Sequence, residues 1–273
     1  NEGEDWECEC KEGREQSPID LPEKSVAIKT DETPNFRYKK VDKVIKTHSN
    51  GELRETENLK FKLEDNMLRL KANFGKVVTP DGAVYYAEEI VFHTPAEHKI
   101  NGKSFDMEVQ IIHSGKSKGD IGRSLVLSFL FERTPGVYNK FIDDFDYFNL
   151  PNTESKTVDI IHDLFLGKIF LNSDEDEKPQ MKPFSFYNYQ GSLTSPPCSE
   201  DTVMYVASKP LQLSTTVLQL FSEALRIPDM RDSKGDIHVS DTLPISNRKL
   251  QPINGRPVFH FDHTILCGPD KVK

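Results

Sequence analysis

Eight histidines are the first side chains here with chemistry to offer, because imidazole is both the commonest metal ligand and the usual proton carrier near neutral pH. Their spacing decides which can act together. In Val258-Phe259-His260-Phe261-Asp262-His263, strand alternation puts His260 and Asp262 on one face and His263 on the other, so the three cannot converge without a bulge. They read as polar residues along an edge or surface strand. His48, His162 and His238 stand alone in polar or helical contexts and read as surface residues. Four cysteines, Cys8, Cys10, Cys198 and Cys267, permit two disulfides in three connectivities. Cys8 and Cys10 have no second close pair beside them, so the paired-loop pattern of a structural zinc site is missing.

The elements that must position such residues read mainly as strands. Segments 59–70, 89–93, 107–113, 124–132, 204–208 and 258–265 are rich in β-branched residues, Leu and Phe, and are bounded by Gly, Pro, Asn or Asp. Helical spacing occurs at 157–166 and at 215–226, the second with Ser214 as N-cap and a stop before Pro228. A few helices packed outside a large sheet follow, a mainly β, α+β architecture. There is no internal repeat, and the acidic stretch 173–179 reads as a solvated loop. The 273 residues therefore form a single domain, 1–273, whose 17 Phe and 8 Tyr supply a sizeable core. A formal charge of −9 repels nucleic acid and anionic lipid, and no apolar run is long enough to cross a bilayer. The chain begins Asn1-Glu2-Gly3, without Met or an apolar leader, which suggests that a secretory segment has been removed.

A denser constellation is Glu89-Ile90-Val91-Phe92-His93-Thr94-Pro95-Ala96-Glu97-His98, followed by Glu108-Val109-Gln110-Ile111-Ile112-His113. It resembles the alpha-class carbonic anhydrases, in which one strand carries His-Phe-His, a Thr-Pro-Ser-Glu-His turn follows, and the next strand carries Glu-Leu-His. Three further stretches extend the resemblance in the same order: Gln16-Ser17-Pro18-Ile19-Asp20, Gly191-Ser192-Leu193-Thr194-Ser195-Pro196-Pro197-Cys198-Ser199-Glu200, and Leu250-Gln251-Pro252-Ile253-Asn254-Gly255-Arg256. The resemblance thus spans nearly the whole chain and implies the family fold, a large, mostly antiparallel twisted sheet with short helices outside.

The chemistry it implies rests on three imidazoles that hold Zn²⁺, which lowers the pKa of a bound water to about 7. At the matching positions this sequence reads Val91, His93 and Gln110. Two of three ligands are missing. A complete structural zinc site contributes roughly 10 to 16 kcal/mol; Val91 has no donor atom, and an amide oxygen suits zinc less well than imidazole. Glu108 shares the face of Gln110 whereas His113 lies on the opposite one, so His93, Glu108 and Gln110 would make only an improvised site.

Around these positions the resemblance implies retained supporting residues: Glu97 accepting from Thr194, and Glu108 orienting the third ligand position. It also implies an apolar wall of Ile112, Val126 and Leu193, with Met204 in place of the usual Trp. All of these are expected to serve packing and buried hydrogen bonding. The family's proton-shuttle histidine has no counterpart here, Glu57 or Asn58 falling near its position. The resemblance further implies a Cys10–Cys198 disulfide, leaving Cys8 and Cys267 as the remaining pair; both bridges place the chain in an oxidising, secretory or extracellular compartment. The expectation is a catalytically inactive carbonic anhydrase-like protein with no cofactor. Its partners are other proteins met through the surface, with an oligomer or larger assembly left open. Rival readings are a lyase with an unorthodox metal site at His93 and an abundant storage or matrix protein.

Overall fold

The computed structural model describes residues 6–23, 26–28, 34–47, 54–117, 119–153, 156–170, 184–225 and 247–264. Among these the strands are, in chain order, β1 (Asp20–Leu21), β2 (Val26–Ile28), β3 (Asn35–Tyr38), β4 (Lys40–Val41) and β5 (Lys43–Thr47). The long central strands follow: β6 (Arg54–Glu64), β7 (Met67–Val78), β8 (Val84–His93), β9 (Lys99–Ile100), β10 (Met107–Gly115) and β11 (Ser124–Arg133). The last are β12 (Thr157–Ile160), β13 (Leu164–Phe165), β14 (Phe184–Gly191), β15 (Thr202–Ala207), β16 (Leu211–Leu213) and β17 (Phe259–Thr264). Helices α1 (Glu9–Glu12), α2 (Lys140–Asp143) and α3 (Thr215–Ala224) lie outside, with 3-10 turns at Tyr147–Asn149 and Leu166–Phe170.

One mixed sheet dominates. Its backbone order is β12-β6-β7-β8-β10-β11-β15-β14-β17-β2, with β3 also pairing β7, β5 pairing β6 and β16 pairing β11. Neighbours are antiparallel except β11 with β15, β11 with β16, and β17 with β2. Because side chains alternate between faces, the central strands feed two apolar clusters. The larger holds Phe61, Phe92, Val109, Leu127 and Phe129 with the buried face of α3; the smaller holds Ile19, Val126, Leu130, Tyr189 and Met204. The mainly β fold expected from strand patterning is the one observed.

Three local readings are corrected. Segment 59–70 is not one strand but the end of β6, a two-residue turn and the start of β7, since Asp65 and Asn66 both have positive φ (53° and 58°). An Asx pair that tolerates the left-handed region is the chemistry a tight hairpin needs. Segment 157–166 is not helical: β12 pairs with β6 and alternates exposed and buried, with Val158 and Ile160 inward, and 3-10 structure begins only at Leu166. Its β-branched residues follow a period of two, and tertiary pairing decides in favour of strand. Nor is β17 an edge: it lies between β14 and β2, and the His260 ring sits 4.8 Å from that of Tyr187. His48, His238, Cys267 and the acidic stretch 173–179 lie outside the described residues.

Candidate functional site

Sheet register brings the candidate residues to one face. Lys62 lies opposite Arg69, Arg69 opposite Val91, Val91 opposite Gln110 and Gln110 opposite Ser128, which makes a row across five strands, β6 to β11. The adjoining rows set His93 opposite Glu108 on one side, and Ile112 opposite Val126 and Val126 opposite Met204 on the other. Val91, His93, Gln110 and Glu108 are all at least 98% buried. Val126 and Met204 are equally inaccessible, with Ile112 and Leu193 half-buried against them. The residues read as a former metal site and its apolar wall are therefore contiguous.

Gln110 is the hub. Its Nε2 donates to Glu97 Oε2 at 2.9 Å and to Glu108 Oε1 at 3.0 Å, while its Oε1 accepts from the Thr194 hydroxyl at 3.4 Å. Both ends of the amide are thereby committed. Glu108 is more heavily engaged: Oε2 accepts from the backbone N–H groups of Glu97 and His98, and Oε1 from His98 Nδ1 at 2.8 Å and Ser128 Oγ at 2.7 Å. Burial alone would raise the pKa of Glu108, but the ion pair and hydrogen bond with His98 hold it well below the usual carboxylate range. Glu97 behaves oppositely. Desolvation and the neighbouring Glu108 charge push it up to about 8, although the Arg248 backbone N–H and Gln110 Nε2 donate to it; the Thr194 hydroxyl, expected to donate to Glu97, donates to Gln110 Oε1. Two buried carboxyls so close cannot both ionise freely, and the one with more donors takes the charge.

His93 faces Glu97, with Nε2 3.6 Å from Oε2. Neither ring nitrogen has a hydrogen-bond partner among the described residues. Desolvation lowers its pKa to about 4, and the Arg69 charge pushes in the same direction, so the ring is neutral near pH 7. The histidine expected to survive does so as an isolated imidazole, its matching positions filled by an aliphatic chain and an occupied amide. Among the described residues no group of three or more His, Cys, Asp or Glu side chains is arranged to hold a metal ion.

Several residues in this assembly carry no role in the sequence reading. His98 bridges Glu108 to the Tyr189 hydroxyl at 2.7 Å, which meets Ser17 Oγ at 2.8 Å. Only the register reveals Arg69; its guanidinium bonds Glu89 at 2.6 Å. Gly191 is required because a Cβ there would collide with Ser17 Oγ and crowd Tyr189 and Met204. Cys10 and Cys198 are bridged, as the resemblance implies, whereas Cys8 is exposed and carries no bridge to a described residue. His162 is exposed at 61%, 3.4 Å from Asp146.

Comparison with known proteins agrees with this geometry. Alpha carbonic anhydrase 8 of Arabidopsis thaliana is 29% identical over 263 residues, 94% of this chain, although the chain spans only 55% of that relative's length. Dioscorin DB3S of Dioscorea polystachya is 26% identical over 261 residues, covering 94% of this chain and 80% of its own. A dioscorin crystallised with ascorbate superposes with a TM-score of 0.65 at 25% identity, over 93% of this chain and 89% of that one. The alpha-carbonic anhydrase of Thermovibrio ammonificans, solved with sulfanilamide, shares the fold with a TM-score of 0.63 at 23% identity, over 92% and 89% of the two chains. The profile of the eukaryotic-type carbonic anhydrases matches residues 1–262, and the chain belongs to that family.

Proposed function

We propose that this chain is a catalytically inactive carbonic anhydrase-like protein that works as a protein-binding, scaffold or structural component in an oxidising, secretory or extracellular compartment. The observation that carries this reading is the state of Gln110, whose amide is bonded at both ends inside a fully buried network. Zinc does not fit the residues present. Val91 offers no donor, Glu108 already accepts from five donors, and the Arg69 charge opposes any cation beside His93. The Cys10–Cys198 bridge supports the compartment, since such bonds persist where the environment is oxidising. A second reading, a carbon dioxide–bicarbonate lyase with an unorthodox metal at His93, draws on the two unpartnered ring nitrogens.

The test is elemental analysis of protein purified without chelator, together with a carbon dioxide hydration assay and crosslinking in native extract. The expected outcome is far less than one zinc per chain, no hydration above the buffer rate and a stoichiometric crosslinked neighbour. Stoichiometric metal with measurable hydration would overturn inactivity. Absence of a stoichiometric neighbour would overturn the scaffold role.

A further inference from the structure

Around α2 and β12 the surface departs from the usual sorting of side chains. Phe141, Phe145, Leu150, Val158 and Ile160 turn into the core. Yet Phe148, in the 3-10 turn Tyr147–Asn149, is 78% exposed, and Ile161, just past β12, is 77% exposed. Ile161 follows the inward Ile160, so strand alternation turns it outward. Asp146 holds the two together: it precedes Tyr147 and Phe148, and its Oδ2 accepts from the Ile161 backbone N–H at 2.9 Å. The ring of Tyr147 lies 4.6 Å from that of Phe148. The exposed Tyr138 stands close by, its phenol adding to the burial and the Asp143 contact that push the Tyr147 pKa up. Large apolar side chains exposed singly are ordinary, whereas neighbours left open together mark an interaction surface.

The charge around this patch is one-sided. Asp143 and Asp146 flank it on the α2 side, while Asp159 shares the outward face of β12 with Ile161 and the exposed Asp163 follows two residues on. Among the described residues none of the four pairs with a lysine or arginine. Asp143 accepts from the Tyr147 hydroxyl at 2.7 Å and Asp159 from the Asn58 amide at 3.0 Å. Asp146 meets only the Ile161 N–H and His162 Nε2, the latter at 3.4 Å. Lys140 and Lys156 belong to the same stretch but bond none of these carboxylates, and Lys156 donates to Asn149 at 3.4 Å. Asp144 alone is neutralised, by Lys168 at 2.7 Å. A second copy of the chain would bring like carboxylates face to face, and the formal charge of −9 opposes that approach as it opposes anionic lipid.

We infer that this face docks a partner protein through a segment presenting lysine or arginine beside an aromatic or aliphatic side chain. The apolar group covers Phe148 and Ile161, and the cations meet Asp159 and Asp163. The inference rests on the protein-binding reading proposed above and names the kind of partner. Complementary charge steers and selects such a segment, and the apolar contact retains it. Binding should weaken as salt rises, because exposed carboxylates are screened.

Fluorescence anisotropy with a labelled peptide of alternating lysine and phenylalanine tests this against two control peptides, one with glutamate for lysine and one with serine for phenylalanine. Saturable binding of the first peptide is expected, with either control at least about tenfold weaker. Phe148→Ser with Ile161→Ser, both at exposed positions, should weaken it about tenfold, the scale of one buried apolar side chain. Asp163→Lys should weaken it about threefold, the scale of one exposed ion pair. No saturable binding, equal affinity for a control peptide, or an affinity unchanged in the double variant would each overturn the inference. So would a concentration-dependent dimer that the double variant abolishes, because the occupant would then be a second copy. Crosslinking in native extract separates the two readings. A stoichiometric neighbour retained by the double variant overturns this surface alone, whereas no neighbour in the wild type overturns the scaffold role and leaves the peptide titration to judge the surface.

Discussion

Gln110 and His113 are three residues apart on β10, yet they belong to different chemistries because a strand sends them to opposite faces. Gln110 organises the buried network around Glu97 and Glu108, and replacing it alone should not create a zinc site. The double change Val91→His with Gln110→His is expected to raise zinc affinity by at least about 100-fold, since a complete donor set is what gives a zinc site its roughly 10 to 16 kcal/mol. Unchanged affinity by competition with a chromogenic chelator would mean that these strands do not face each other as described. His113 lies in the core. Its Nδ1 donates to the Leu125 carbonyl at 3.0 Å and its Nε2 accepts from the Tyr38 hydroxyl at 3.0 Å. Desolvation lowers its pKa from 6.5 to about 4. The unfolded chain therefore takes up this proton first, and stability is lost as pH falls through the window from 6.5 to about 4. The stability advantage of the wild type over His113→Gln should shrink across that window by about 3 kcal/mol. A difference that stays constant with pH in urea unfolding would refute the buried neutral imidazole.

At the scale of elements, local signals were reliable where a named residue enforces them. Ser214 begins α3 as expected, its hydroxyl accepting from Val217 N at 3.2 Å, while Val217, Leu218 and Phe221 face the core. Ser214→Ala should lower stability by about 1 kcal/mol, the usual value of an N-cap, and an unchanged urea midpoint would show that the cap contributes nothing. Strand positions 89–93, 107–113 and 124–132 are contained in β8, β10 and β11. Their Val, Ile, Leu and Phe content suffices to mark strands buried on both faces. Segment 157–166 carries both periods in its short run of Val and Ile residues, and only pairing with β6 selects the strand. The break within 59–70 was available in Asp65-Asn66, a pair whose backbone tolerance marks a tight turn.

The whole molecule is tied together at its N-terminal segment. The Cys10–Cys198 bridge spans 188 residues. Arg248 donates to Gln16 Oε1 at 2.7 Å and to the Ser17 carbonyl at 2.9 Å, and Arg256 reaches the carbonyls of Gln16 and Gln190 at 2.8 Å each. Replacing both cysteines by serine should cost up to about 5 kcal/mol in the chain-entropy account of so long a loop; no fall in the urea midpoint would mean that the arginine contacts alone hold the segment. This scale also divides what was legible from what was not. The strand-rich fold and the absence of imidazole at Val91 and Gln110 follow from residue identity and order, because an absent imidazole is absent in any conformation, and the family and the Cys10–Cys198 pairing follow from the motifs that carry the resemblance. The hub made by Gln110 and the opposite ionisation of Glu97 and Glu108 follow only from register. Strands distant in sequence must first be aligned before their side chains share a low-dielectric space, and there distance and burial, not residue type, set charge and hydrogen bonding.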